Sequence, residues 1–276
     1  MTELDFDKIF ENYLRDWCKE NADEYGSTEE MEDGGANLYD RWADSPCEAL
    51  GGIAPRQFFE RITDPGELVK LLIATGTTGC PCALLLDRIE QVPECSIHLA
   101  EIVRLSTNKM LIMLAINLLR DIDEQIPYDI YIKWLLDYGT EKCPAHIDGE
   151  IIELLVEVLA EKADIVGDLL LPFVHTSSYE TKINLADILV FYPDNDIVYK
   201  LLKELFLEGN NIPLYAGYLG KYGDPRAIES LQDALGDCNY LEYMEVVGAI
   251  ERLGGEVNIV RDFSEDPYYL ALKKAR

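Results

Sequence analysis

One stretch, Ile212–Asp237, reading IPLYAGYLGKYGDPRAIESLQDALGD, most restricts what this chain can fold into. It has the grammar of one helix ending and another beginning. Gly223 stands where a helix C-terminus needs positive φ without a Cβ penalty. Asp224 can cap the next helix, and Pro225 takes the helical position at which a missing N–H is harmless. Ile228, Leu231 and Leu235 then recur at helical spacing, and Ala216, Leu219 and Tyr222 form the matching stripe before the break. So tight a turn makes the two helices antiparallel neighbours. Such a pair cannot bury both apolar faces alone, so further pairs must lie beside it.

The unit recurs. Breaks at Asp64, Pro93, Asp123, Asp164, Asp194, Asp224 and Gly254 are separated by 29, 30, 41, 30, 30 and 30 residues. Leu68 and Leu71 follow Asp64 at the offsets with which Val198 and Leu201 follow Asp194, and Ile228 and Leu231 follow Asp224. Before the breaks, Ala186 and Leu189 match Ala216 and Leu219, and Ala115 and Leu118 precede Asp123 in the same way. The long interval contains a polar loop, Gly139–Asp148, and past Asp164 the stripe starts early, with Val166, Leu169 and Phe173. This pattern predicts an all-α fold, a right-handed α-α superhelix of about six helix pairs. The array is expected over residues 63–276, closed by a capping helix within Val257–Arg276.

Residues 1–62 are expected as an N-terminal helical extension. Residues 4–19 place Phe6, Ile9, Phe10, Tyr13, Leu14 and Trp17 on one helical face, and residues 21–37 form an acidic, Gly-containing loop. Then Trp42, Pro46, the turn Leu50-Gly51-Gly52 and a helix opening at Pro55 follow in close order. That spacing resembles a short segment of several bacterial proteins of mixed function, and it equally describes a Trp-anchored turn before a helix.

A second resemblance is more specific. Gly220–Leu235, GKYGDPRAIESLQDAL, resembles the short HEAT-like repeat, the class also found in phycobilisome lyase subunits. Gly223–Ile228 is close to that repeat's signature, with Tyr222 in place of its usual aliphatic residue. The resemblance implies an α-solenoid whose concave face binds other molecules. Some such proteins are chromophore lyases and many are scaffolds, and the repeat itself carries no chemistry.

Charge then narrows the partners. Lys and Arg total 24 against 52 Asp and Glu, a net charge of −28. Phosphate backbones are bound by Lys and Arg, so nucleic acid and anionic membranes are unfavourable partners. The densest basic cluster is the terminal Lys273, Lys274 and Arg276. No apolar run approaches the length of a membrane span, and the start, MTELDFDKIFENYL, lacks a secretory signal's basic and apolar regions. Seven scattered cysteines are an odd number and no disulfide framework, which fits a cytoplasmic protein.

Few residues suggest chemistry. Cys80, Cys82 and Cys95 have thiolate spacing for a soft metal, but only His98 is near, and a zinc site wants four ligands. Cys143 and His146 could make a nucleophile pair, yet nothing beside them orients a base. His98, His146 and His175 fall in separate units. No catalytic residue, cofactor or metal is therefore expected. Glu153, Glu157 and Glu161 recur along one helix face and could meet a basic partner. Tyr215, Tyr218, Tyr222, Tyr240 and Tyr243 lie on the second helices of adjacent units, which in this architecture line the concave side. Tyr222 and Tyr243 are expected in the core, Tyr215 and Tyr218 at the surface, where tyrosine suits an interface. The expected partner-binding set is Tyr215, Tyr218, Tyr240, Glu153 and Glu157. The expected function is a non-enzymatic scaffold or adaptor for a protein or peptide with a basic segment. The alternative is an enzyme or accessory subunit of the chromophore-lyase kind, which needs a pocket with converging polar groups.

Overall fold

The computed structural model describes residues 5–22, 25, 35, 37–78, 81–257, 259 and 261–274. Its described residues are all-helical: 16 α-helices, 70% of the chain in helix, and no strand. They divide into two compact units, Met1–Pro127 and Tyr128–Arg276. The acidic loop expected at 21–37 and the thiol of Cys80 fall largely or wholly outside the described residues.

The first unit opens with α1 (Phe6–Asn21), whose N-cap Asp5 accepts from the Lys8 amide. Next come α2 (Leu38–Ala43) and α3 (Pro55–Glu60). Aromatic side chains hold these together. Phe6 lies 4.7 Å from Phe59, and Phe10 lies 5.1 Å from both Tyr39 and Trp42. The turn between α2 and α3 is built on Gly51 and Gly52, at φ 68° and 84°, and a single bridge from Cys47 to Ile53 closes it. Then follow α4 (Pro65–Thr78), α5 (Ala83–Glu90), α6 (Cys95–Leu105) and α7 (Lys109–Ile122). α3 packs on α5, α4 touches α5, α6 and α7, and α6 lies along α7. Leu68, Leu72, Leu85, Ile89, Leu99, Ile112 and Ile116 fill the space between them. Asp123, at φ 57°, ends α7 as a left-handed cap.

The second unit contains α8 (Tyr128–Asp137), α9 (Gly149–Glu161), α10 (Ala163–Leu170), α11 (Tyr179–Leu189) and α12 (Asp196–Glu208). It continues through α13 (Ile212–Tyr222), α14 (Ile228–Ala234), α15 (Tyr240–Arg252) and α16 (Pro267–Lys274). Neighbours in sequence pack on each other: α11 on α12, α12 on α13, α14 on α15. Alternate helices pack as well, α9 on α11 and α13 on α15. The repeated stripe is the core: Ala186, Leu189, Val198, Leu201, Ala216, Leu219 and Leu231 are all buried. Asn or Ser side chains cap four of these helices, Ser178 on α11, Asn195 on α12, Asn211 on α13 and Asn239 on α15. Each such cap is worth about 1 kcal/mol.

One expectation about this unit needs correcting. The break expected at Asp164 sits at Lys162, and Asp164 lies inside α10. Because α10 starts two residues sooner, its buried face is Ala163, Val166, Gly167 and Leu170, while Leu169 and Phe173 are exposed. Within the segment expected to hold a C-terminal capping helix, α16 is eight residues long, with Tyr268, Leu270 and Leu272 exposed and Tyr269 set against Tyr240. Asp266 caps it, accepting from the amides of Tyr268 and Tyr269.

Candidate binding face

The seam between α11 and α13 brings in three of the tyrosines singled out above, Tyr215, Tyr218 and Tyr222. The two helices are equivalent pieces of successive repeats, so residues about thirty positions apart face each other across it. At one end the Tyr179 hydroxyl accepts from Asn210 Nδ2 at 2.9 Å. In the middle Tyr218 Oη donates to Asp187 Oδ1 at 2.7 Å. One turn further, the Lys221 ammonium lies 3.5 Å from the centre of the Phe191 ring. At the far end the Tyr222 hydroxyl donates to the Asn195 carbonyl at 2.8 Å and accepts from the Asn195 amide at 2.7 Å. Tyr222 thus ties the end of α13 to the residue that caps α12.

Tyr215 is not at the surface as expected; it is 2% exposed. The cap at Asn211 and Pro213 in the first turn set the register of α13 so that Tyr215, Ala216 and Leu219 all face inward. Its hydroxyl points along the seam instead, and burial, followed by the neighbouring Tyr179, pushes its pKa up to about 12. Tyr218 is half-buried, its ring 6.2 Å from that of Tyr215 and nearly perpendicular to it. Burial, then the bond to Asp187, drives the Tyr218 hydroxyl well above the usual phenol range. Burial likewise raises Asp187 above the ordinary carboxylate value, and the bond from Tyr218 only partly offsets this.

The segment Gly223–Arg226 forms a second polar cluster just beyond the seam. Gly223 ends α13 at φ 84°, and Asp224 accepts from the Arg226 amide at 2.9 Å. The Arg226 guanidinium reaches Asp224 Oδ2 at 2.6 Å and Asp196 Oδ1 at 2.8 Å, and lies over the Tyr199 ring at 4.2 Å. It therefore bridges one repeat to the next. Arg226 holds the Asp224 carboxyl below its usual range, and Lys200 and then Arg226 do the same for Asp196.

The remaining expected residues are elsewhere. Glu153 and Glu157 are exposed on α9, which packs against α11. Tyr240 is half-buried at the start of α15, where Phe263 and Tyr269 cover it at 5.3 and 5.1 Å. Asp187 was missed by sequence reasoning. The available signal was its place 31 residues before Tyr218, one repeat earlier.

Among the described residues, the thiols and histidines do not assemble into a site. Cys95 Sγ lies against the Pro65 carbonyl and burial raises it to about 11, while buried Cys82 faces the Tyr39 hydroxyl at 3.9 Å. Cys143 Sγ turns to the Ile147 carbonyl, and His146 stands edge-on to Trp134 at 6.3 Å. In the first unit a groove of about 610 Å³ runs between α4 and α6, floored by Val69, Ile102 and Leu111 and edged by Lys70, His98 and Leu105. Among the described residues, no group of three or more His, Cys, Asp or Glu is placed to hold a metal ion, and no helix is long and apolar enough to cross a membrane.

Compared with known protein families, curated proteins and solved structures, the chain matches none.

Proposed function

We propose that this protein is a non-enzymatic scaffold or adaptor that holds a basic segment of another protein on a HEAT-like helical array. The observation that carries the reading is the charge imbalance of −28 combined with repeated helices packed in register. Stacked helix pairs offer a long surface without any need for a reactive centre. On α9 the exposed Glu153 and Glu157 stand one turn apart, and α11 next to it carries Asp187, which is bonded to Tyr218 of α13. A run of carboxylates beside tyrosine rings suits a chain of lysine and arginine side chains, by charge and by cation–π attraction. In this reading the second helices α9, α11, α13 and α15 supply the concave face.

A fluorescently labelled, lysine-rich peptide of about ten residues tests the reading by anisotropy. Affinity should fall about tenfold as salt rises from about 0.05 M to about 0.5 M, because the ionic atmosphere shrinks to a few ångströms. The charge-reversing pair Glu153→Lys and Glu157→Lys should weaken binding and flatten that salt dependence. Binding that ignores salt, or that is untouched by the charge reversal, would count against it.

A further inference from the structure

We propose that Asp187 and Tyr218 form a built seat for one cationic side chain, a lysine or arginine of the bound segment. This rests on the scaffold reading and names the residue pair that would give it specificity.

Asp187 is a charged group in an unusual position. It is half-buried on α11, and its Oδ1 accepts from Tyr218 while no Lys or Arg among the described residues pairs with it. The lysines that flank the pair on these two helices are already engaged. Lys182, five residues earlier on α11, pairs with Glu204 at 2.7 Å. Lys221, one turn beyond Tyr218, sits on the Phe191 ring. A carboxylate withdrawn from water and left without a counter-ion destabilises the fold that contains it. A surface carboxylate, free to swing into water, would carry no such penalty. Here the Tyr218 hydroxyl fixes the group in place at 2.7 Å.

The surroundings fit a cation and little else. Tyr218 presents a ring beside the carboxylate, and Tyr215 buttresses that ring from 6.2 Å. An incoming ammonium or guanidinium would meet the free oxygen of Asp187 and the face of Tyr218 together. The same seam already seats its own lysine on an aromatic ring at Phe191. Asp187 and Tyr218 are both half-buried, so each keeps part of its surface open to solvent.

Asp187→Asn keeps the acceptor for Tyr218 and removes only the charge. For the lysine-rich peptide it should weaken binding roughly tenfold to thirtyfold, the scale of losing a partly desolvated ion pair. Glu153→Gln, an exposed neutralisation, should change affinity by only about twofold. Equal effects from the two variants would overturn the seat while leaving the scaffold reading standing. A second measurement needs no peptide. Carboxyl carbon NMR of the whole protein follows Asp187 during titration with ethylguanidinium. The seat requires a saturable shift at Asp187 and a lowered Asp187 pKa, both absent in Tyr218→Ala. No shift would overturn the proposal even if the peptide binds; a shift without peptide binding would keep the seat and sink the scaffold reading.

Discussion

Glycine-to-alanine exchange at three helix positions separates local preference from tertiary packing. Gly217 and Gly220 lie in α13 and Gly248 lies in α15, and none has positive φ. Each therefore costs its helix about 1 kcal/mol relative to alanine. At Gly217 and Gly248 an added Cβ would meet nothing within 4 Å, so each substitution should stabilise by about 0.5–1 kcal/mol. At Gly220 the Cβ would lie 2.9 Å from the Ala249 Cα and 3.1 Å from its Cβ. A backbone atom cannot swing aside, so α13 and α15 must separate along the length over which they pack. Overpacking of this kind costs about 1–3 kcal/mol, which cancels the helical gain and leaves a net loss of up to about 2 kcal/mol. Urea unfolding followed by helical circular dichroism reads the sign directly, as midpoints at unchanged slope. Gly217→Ala and Gly248→Ala should move the midpoint up and Gly220→Ala should move it down. If Gly220→Ala stabilises as much as Gly217→Ala, α13 and α15 do not approach as described.

Other outcomes follow from the same geometry. Tyr222→Phe removes both bonds to Asn195 and leaves its backbone groups half-buried, so it should cost about 1–2 kcal/mol in urea unfolding. Leu219→Ala opens a cavity at a fully buried site in the repeated stripe and should cost about 2–5 kcal/mol by the same assay. Asp187 has a folded pKa above its unfolded value, so its ionised form opposes folding at neutral pH and that penalty fades as pH falls through the folded pKa. Asp187→Asn should therefore be at least as stable as the parent at pH 7, with the difference shrinking towards pH 4. Asp224 runs the other way: its folded pKa is depressed, so its contribution is present above the unfolded value and is lost as pH falls through the folded one. Arg226→Gln should accordingly flatten the acid side of the stability profile.

Much of the architecture was legible in the chain because its signals are local. A helix end is set by a few neighbouring residues, so Gly223, Asp224 and Pro225 mark theirs plainly, and the thirty-residue period follows from counting. The repeated stripe was legible for the same reason, since helical spacing alone puts Ala186, Leu189, Ala216 and Leu219 on one face. Legibility failed where the outcome depends on where a helix begins. Lys162 rather than Asp164 breaks α9 from α10, and that shift turned Leu169 and Phe173 outward. Tyr215 was misplaced likewise, because its side chain follows the register that Asn211 imposes.

The sequence by itself determined helices, their approximate ends, the repeat and the excess of acid over base. Only the tertiary structure decided which carboxylate lacks a counter-ion, which tyrosine hydroxyl reaches it, and which helix glycine is open and which is pressed against a neighbour. Propensity and periodicity act within a few residues of one helix. The pairing of Asp187 with Tyr218, and of Gly220 with Ala249, is set by how two helices a full repeat apart come to rest against each other.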